Sequence, residues 1–197
     1  FTLAGEFVGS NDFKEQADFI TRIYGGLAPE RKTVFRPKEN GKDNPDEREC
    51  MTDIRFGPLY NKVLLRYLEG RGICSDVALP NCEEVRYSLH GKQYFAIGFR
   101  NRSGGYELRN RFFKGCIAPK DITHIRQHGE PRNVCYLFEG FMDYLSFLTI
   151  RVKNNPQYPR LTTQDYIILN SVSNLAKVES LLANYTQFGS YLDNDTA

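Results

Sequence analysis

The stretch Asn133-Val134-Cys135-Tyr136-Leu137-Phe138-Glu139-Gly140-Phe141-Met142-Asp143 decides how the chain is read. Its first half is an unbroken run of strand formers, of the kind buried on both faces of a parallel sheet. The run stops at Glu139-Gly140, and a helical pattern continues from Phe141 to about residue 152. The alternation then recurs. Tyr166-Ile167-Ile168-Leu169 reads as a second strand. Asn174 is placed to cap a helix carrying Leu175, Val178, Leu181 and Leu182 on one face. Phe188-Gly189-Ser190-Tyr191-Leu192 reads as a third strand, ending at Asp193-Asn194-Asp195. Strands separated by helical stretches predict an α/β unit over 133–197, a parallel sheet flanked by helices.

Upstream the texture differs. Residues 85–89, 93–99 and 106–112 read as strands of a small antiparallel sheet, joined by turns at His90-Gly91 and Ser103-Gly104-Gly105. Before them, Pro58 stands as a first-turn proline ahead of a helical stripe of Leu59, Val63, Leu64, Tyr67 and Leu68, closed by Gly70. Ser75-Asp76 is suited to cap a further short helix. This makes 58–132 a smaller mixed α+β subdomain. Residues 1–57 hold a helix over 11–24 and a polar, proline-broken connection over 26–57, to which no function is assigned.

The overall charge of +2 hides an asymmetry. Residues 86–132 contain ten Lys or Arg against three acidic residues, whereas residues 133–197 contain four against six. A basic stretch beside an acidic one suits a phosphate-binding surface next to a cation site. Five cysteines at 50, 74, 82, 116 and 135, with no Cys-x-x-Cys, argue against a disulfide framework and for a reduced, cytoplasmic setting. No apolar run approaches the length needed to cross a bilayer, so no membrane partner is expected. The chain begins without Met, which leads us to expect a piece of a longer protein.

In a parallel sheet, functional groups collect beyond the carboxyl ends of the strands. Glu139 follows the first strand; Asp193 and Asp195 follow the third. Side by side, those strands would bring three carboxylates together, and Asp143, four residues after Glu139, lies one helical turn along. Clustered carboxylates repel unless a cation neutralises them, and oxygen-only ligation suits Mg²⁺ or Mn²⁺ rather than Zn²⁺. Taken singly, each acid is as well explained as a turn or helix cap. The order strand–Glu–Gly–helix, then strand–helix–strand–Asp-x-Asp, is what singles them out.

That order carries a resemblance. Val134 to Ser146 resembles the TOPRIM motif of bacterial primases, a Glu-Gly-aromatic-Met-Asp segment after a hydrophobic strand. Leu192-Asp193-Asn194-Asp195-Thr196-Ala197 resembles their Asp-Gly-Asp-x-Ala-Gly motif, and Leu169-Asn170-Ser171 stands in the place of a Leu-Gly-Thr loop. Tyr67 to Ile73 is similar to the helix and Arg-Gly turn that open the primase polymerase core, and Gln93 to Arg102 to its strand ending in Gly-Phe-x-x-Arg. The resemblance implies a DNA-directed RNA primase, a nucleotidyltransferase of DNA replication. By it, Glu139 is the catalytic or metal-coordinating glutamate, and Asp193 and Asp195 are metal ligands with Asp143 beside them. Arg109, Arg111 and Lys114, with Arg100 and Arg102, contact nucleic acid. The implied cofactor is Mg²⁺ or Mn²⁺. The implied partners are a single-stranded DNA template, nucleoside triphosphates and a replicative helicase. Asn194 replaces the middle Gly, the Leu-Gly-Thr loop lacks its Gly, and no Cys/His module precedes the core.

Two other classes stay open: a TOPRIM nuclease or topoisomerase, and a non-catalytic single-stranded-DNA-binding protein of a mobile element. His124 and His128 have a four-residue spacing, but residues 122–125 read as a strand, which would part them as exposed histidines. Cys135 lies inside a buried strand and reads as inert core. Tyr94, Phe99, Tyr106 and Phe112 alternate with basic residues and are candidates to stack bases, half or more of them being expected in the core.

Overall fold

A computed structural model describes residues 51–192. The expected helix over 11–24, most of the connection over 26–57, and Asp193 and Asp195 lie outside the described residues.

A five-stranded antiparallel sheet comes first, in the order β1 (Thr52–Pro58), β2 (Glu83–Leu89), β3 (Lys92–Arg100), β4 (Tyr106–Arg109), β5 (Lys114–Ile117). Leu89 pairs with Lys92 across a two-residue turn in which His90 and Gly91 take φ of 50° and 70°. Positive φ at both positions is what a tight, twisted hairpin requires, and Gly91 meets it without steric cost. Pro58 ends a strand rather than opening a helix, because β1 pairs with β2 from Thr52↔Ser88 to Pro58↔Glu83. The last residues assigned to the polar connection therefore belong to this sheet. The single strand expected over 106–112 is two strands and a turn. Asn110 breaks it: its N–H donates to the Phe113 carbonyl (3.0 Å) and its Oδ1 accepts from the Phe112 N–H (2.8 Å).

Helix α1 (Lys62–Gly70) starts at Asn61, whose Oδ1 accepts from the Val63 N–H at 2.9 Å. It buries Leu64 and Leu68. It ends where the Gly72 N–H reaches the Glu69 carbonyl (2.8 Å) and the Ile73 N–H reaches the Leu68 carbonyl (3.0 Å), with Gly72 at φ 77°. This is the glycine-dependent C-terminal cap, and it fixes the direction of Arg71. Helix α2 (Ser75–Asn81) follows.

The second sheet has the order β6 (Thr123–Ile125), β8 (Asp165–Ile168), β7 (Val134–Phe138), β9 (Gln187–Tyr191). β7 is parallel to both β8 and β9, and β6 is antiparallel to β8. The fold class is α/β, as expected, with one antiparallel edge. β6 had been placed with the basic subdomain over 58–132; its pairing from Thr123↔Ile168 to Ile125↔Tyr166 puts it in the C-terminal sheet. Helix α3 (Phe141–Asn154) connects β7 to β8 and buries Phe141, Met142, Tyr144, Leu145, Leu148 and Thr149, the spacing of one helical face. After β8 come a 3₁₀ turn (Val172–Lys177) and helix α4 (Glu179–Leu182). Asn174 lies inside the turn rather than capping it. Its buried amide donates to the Leu169 carbonyl at 2.9 Å, a bond back to the strand that outcompetes a cap.

Alternation in β7 divides the core. Cys135 and Leu137 join Ile122, Ile167, Leu169 and Val178 on one face. Phe138 turns the other way, into a cluster shared by α1, α2, β3, α3 and β8. There Phe99 of β3 stacks on Phe141 (centroids 5.1 Å, 7° between planes), and Phe138 meets Tyr144, Phe147, Tyr166 and Tyr191 within 6.4 Å. Burial pushes the Cys135 thiol up to about 12, which agrees with inert core.

A polar seam also joins the sheets. Asp121 accepts from Arg102 Nε (2.7 Å), Ser103 Oγ (2.6 Å) and Lys177 Nζ (3.2 Å), and the Arg102 N–H donates to the Ile122 carbonyl. Burial alone would push the Asp121 carboxyl up, but the bonds from Ser103, Arg102, the Ile122 backbone and Lys177 outweigh it and hold it well below the usual carboxylate range. A carboxyl depressed in the folded state adds stability above its unfolded pKa of about 3.9 and loses it as pH falls. Asp121→Asn is therefore expected to lower the melting temperature at pH 7 and to flatten its decline below about pH 4. A variant curve parallel to wild type through that range would remove Asp121 from the acid response. Phe138→Ala is expected to cost about 3–5 kcal/mol in denaturant unfolding, the loss for a buried aromatic.

Candidate functional site

Beyond the ends of β7 and β8 the parallel ladder continues for one more step on each strand. The Leu169 N–H donates to the Phe138 carbonyl and the Asn170 N–H to the Glu139 carbonyl, both at 2.9 Å. Glu139 and Asn170 are therefore neighbours at the carboxyl edge of the sheet. Asn170 takes φ 63°, the left-handed conformation that a glycine would supply and that asparagine tolerates. This accounts for the loop that lacks its Gly. The Asn170 amide Nδ2 donates to the Asp121 carbonyl (2.9 Å) and to Thr123 Oγ1 (3.1 Å), while its buried Oδ1 has no hydrogen-bond partner among the described residues.

Glu139 and Asp143 line a cleft of about 580 Å³. Arg109 of β4, Lys114 of β5, Lys120 and Arg71 line it too, as do Glu107, Asn170 and Ser171. The antiparallel sheet thus presents its cations to the acidic edge of the parallel one. Burial pushes the Glu107 carboxyl up, with Lys120 and Lys114 pulling it back. Glu139 is half-buried and Asp143 exposed. Gly140 begins α3 without a side-chain cap, and a Cβ there would stand 3.3 Å from Asp143 Oδ2, so that carboxylate lies over the first turn.

Asp193 and Asp195 lie outside the described residues. The strand that leads to them, β9, runs parallel beside β7 with Phe138 opposite Tyr191, and the two strands end on the same edge. Parallel neighbours lie about 4.8 Å apart.

Of the basic residues singled out from the sequence, Arg109 and Lys114 line the cleft; Arg100, Arg102 and Arg111 do not. Arg102 is committed to Asp121, with 2.7 Å between Nε and Oδ2. Arg111 lies over the Phe112 ring on a neighbouring pocket, and Arg100 is exposed at the end of β3. Sequence reasoning missed Arg71, Lys120 and Asn170. Arg71 had a signal in its Arg-Gly turn and Asn170 in its loop position; Lys120 had none. Two of the four candidate stacking aromatics are core, Phe99 and Tyr106, whereas Tyr94 and Phe112 are 39% and 91% exposed. His124 is half-buried, not exposed: Tyr185, held by Asp165 (2.7 Å), sits 2.9 Å from its Nε2.

No group of three or more His, Cys, Asp or Glu able to hold a metal ion occurs among the described residues. The carboxylates of Glu139 and Asp143 are hard oxygen donors, and that chemistry fits Mg²⁺ or Mn²⁺. No helix among the described residues is long and apolar enough to cross a membrane.

Two family models match parts of the chain. Residues 136–197 match a family model described as Toprim-like, and residues 53–118 match one described as a domain of unknown function, DUF8464. The second range spans the five-stranded sheet with α1 and α2; the first runs from β7 onward. No match was found among curated proteins or among solved structures, and none is specific to bacterial primases. The chain therefore carries a Toprim-like domain at residues 136–197, preceded by a DUF8464 domain at residues 53–118.

Proposed function

We propose that the protein is a primase-type nucleotidyltransferase that joins nucleoside triphosphates on a single-stranded DNA template in the Glu139 cleft. The observation that carries this reading is the meeting of Glu139 and Asp143 with Arg71, Arg109, Lys114 and Lys120 in that one cleft. The Toprim-like domain points to Mg²⁺-dependent phosphoryl transfer, since Toprim domains typically bind Mg²⁺. The primase assignment is finer than that and rests on the order of the motifs.

In this reading Asp193 and Asp195 hold the divalent ion, with Asp143 one helical turn from Glu139, which serves as the base. When bound, such an ion supplies neutralisation of the phosphate oxygens during transfer. The remaining work belongs to side chains of this protein. Arg71, Arg109, Lys114 and Lys120 offer four positive charges to a triphosphate or a template backbone. Glu139, at the strand end, is positioned to take the proton of the attacking 3′-hydroxyl; the hydroxyl oxygen then bonds to the α-phosphorus and pyrophosphate leaves. Asn170 is fixed at the same edge by two bonds through its amide nitrogen.

Incubating the protein with a single-stranded template, nucleoside triphosphates and Mg²⁺ distinguishes the classes. New primers support synthesis, shortened template a nuclease, and a mobility shift without product a binding protein. Glu139→Gln is expected to abolish product while leaving DNA affinity within about twofold; undiminished product would remove Glu139 from the reaction. Arg109→Ala is expected to weaken single-strand binding and to lower the slope of log affinity against log salt by about 0.7, the loss of one phosphate contact. An unchanged slope would place the phosphates elsewhere.

A further inference from the structure

The turn between β4 and β5 presents a large aromatic ring to solvent. Phe112 is 91% exposed, and a ring so placed loses the stabilisation that burial would bring. It is not a loose side chain on a loose loop. The Asn110 Oδ1 accepts from the Phe112 N–H at 2.8 Å, the Asn110 amide donates to the Phe95 carbonyl at 2.9 Å, and the Asn110 N–H closes on Phe113 at 3.0 Å. The backbone that carries the ring is therefore pinned on both sides. The Arg111 guanidinium lies 5.6 Å from the ring centroid.

Phe112 and Arg111 form one wall of a pocket of about 470 Å³ that Val63, Arg66, Gln93 and Tyr94 complete. Val63 adds a 58% exposed apolar surface. Among the described residues no Asp or Glu lines this pocket, while two arginines do. A flat aromatic face, guanidinium groups and two side-chain amides match an anionic ligand with a planar aromatic part. The size lies within the range of small-molecule pockets.

The pocket adjoins the Glu139 cleft through one hydrogen bond. Arg109, which lines the cleft, donates from Nε to the Tyr67 hydroxyl at 3.3 Å, and Tyr67 lines the pocket.

We infer that this pocket is a base-stacking subsite that captures one unpaired base of a single-stranded nucleic acid on the face of Phe112, with Arg111 and Arg66 on the flanking phosphates. The class of ligand rests on the proposed function; the chemistry of the pocket does not. Base stacking on an aromatic side chain is sequence-tolerant, because every base has a π face.

The test is fluorescence anisotropy with the whole chain and a labelled oligothymidylate, the same strand carrying abasic sites, and a blunt duplex. Phe112→Ala is expected to weaken oligothymidylate binding about tenfold, as loss of one stacked base does, with the salt slope unchanged. Binding of the abasic strand and the duplex is expected not to respond, and Phe112→Trp to restore affinity. With its ring in solvent, Phe112 is not needed for folding, which an unchanged melting temperature checks. Oligothymidylate affinity within twofold of wild type in Phe112→Ala, or an equal loss on the abasic strand, overturns the subsite. That failure leaves the transfer reaction untouched, because the latter is read from product formation and its loss in Glu139→Gln.

Discussion

The stack of Phe99 on Phe141 is the contact on which the cleft depends. Phe141 is the first residue of α3, two residues after Glu139, and Phe99 belongs to the middle strand of the antiparallel sheet. With 5.1 Å between centroids and nearly parallel planes, the stack fixes the distance between one sheet and the acidic edge of the other. Tyr144 reinforces it from the next helical turn, 6.0 Å from Phe99 and 5.8 Å from Phe138. Each such pair contributes about 0.5–1.5 kcal/mol beyond the burial of its area, and the rings are too large to slide past one another without leaving voids. A dry aromatic contact thus contributes to the relative placement of Arg109 and Glu139.

The cleft has further supports besides this stack. Here the walls are held by packing, by the glycine-dependent cap that directs Arg71, and by Asp121 with its three side-chain donors. Asp121 consumes Arg102 and Lys177 in holding the seam, so that not every basic residue of this region is available to phosphate.

Local signals made much of this architecture legible. The His90-Gly91 hairpin, the stripe of α1 and the strand–Glu–Gly–helix order are patterns within a dozen residues, where turn chemistry and periodicity act directly. The errors fell where a distant partner decides. Thr52–Pro58 looks polar and broken, yet pairs with β2 about thirty residues later. Thr123–Ile125 sits in a basic stretch, yet completes the sheet of β8. Asn174 has the chemistry of a cap, but the Leu169 carbonyl lies within reach of its amide. Among the basic residues, spacing along a strand did not separate Arg109 from Arg111. An Asx turn at Asn110 lies between them, and the two side chains go to different pockets.

By itself, the amino-acid sequence determined the class of the fold, the strand that delivers Glu139, and the oxygen-donor character of the acidic edge, because each follows from residue type and short-range period. Tertiary structure alone decided which cations face that edge. Arg71, Arg109, Lys114 and Lys120 come from a helix cap, two strands and a loop spread over fifty residues, and no periodicity links them. The shared aromatic core, with Phe99 of one sheet packed on Phe141 at the edge of the other, brings them to one cleft.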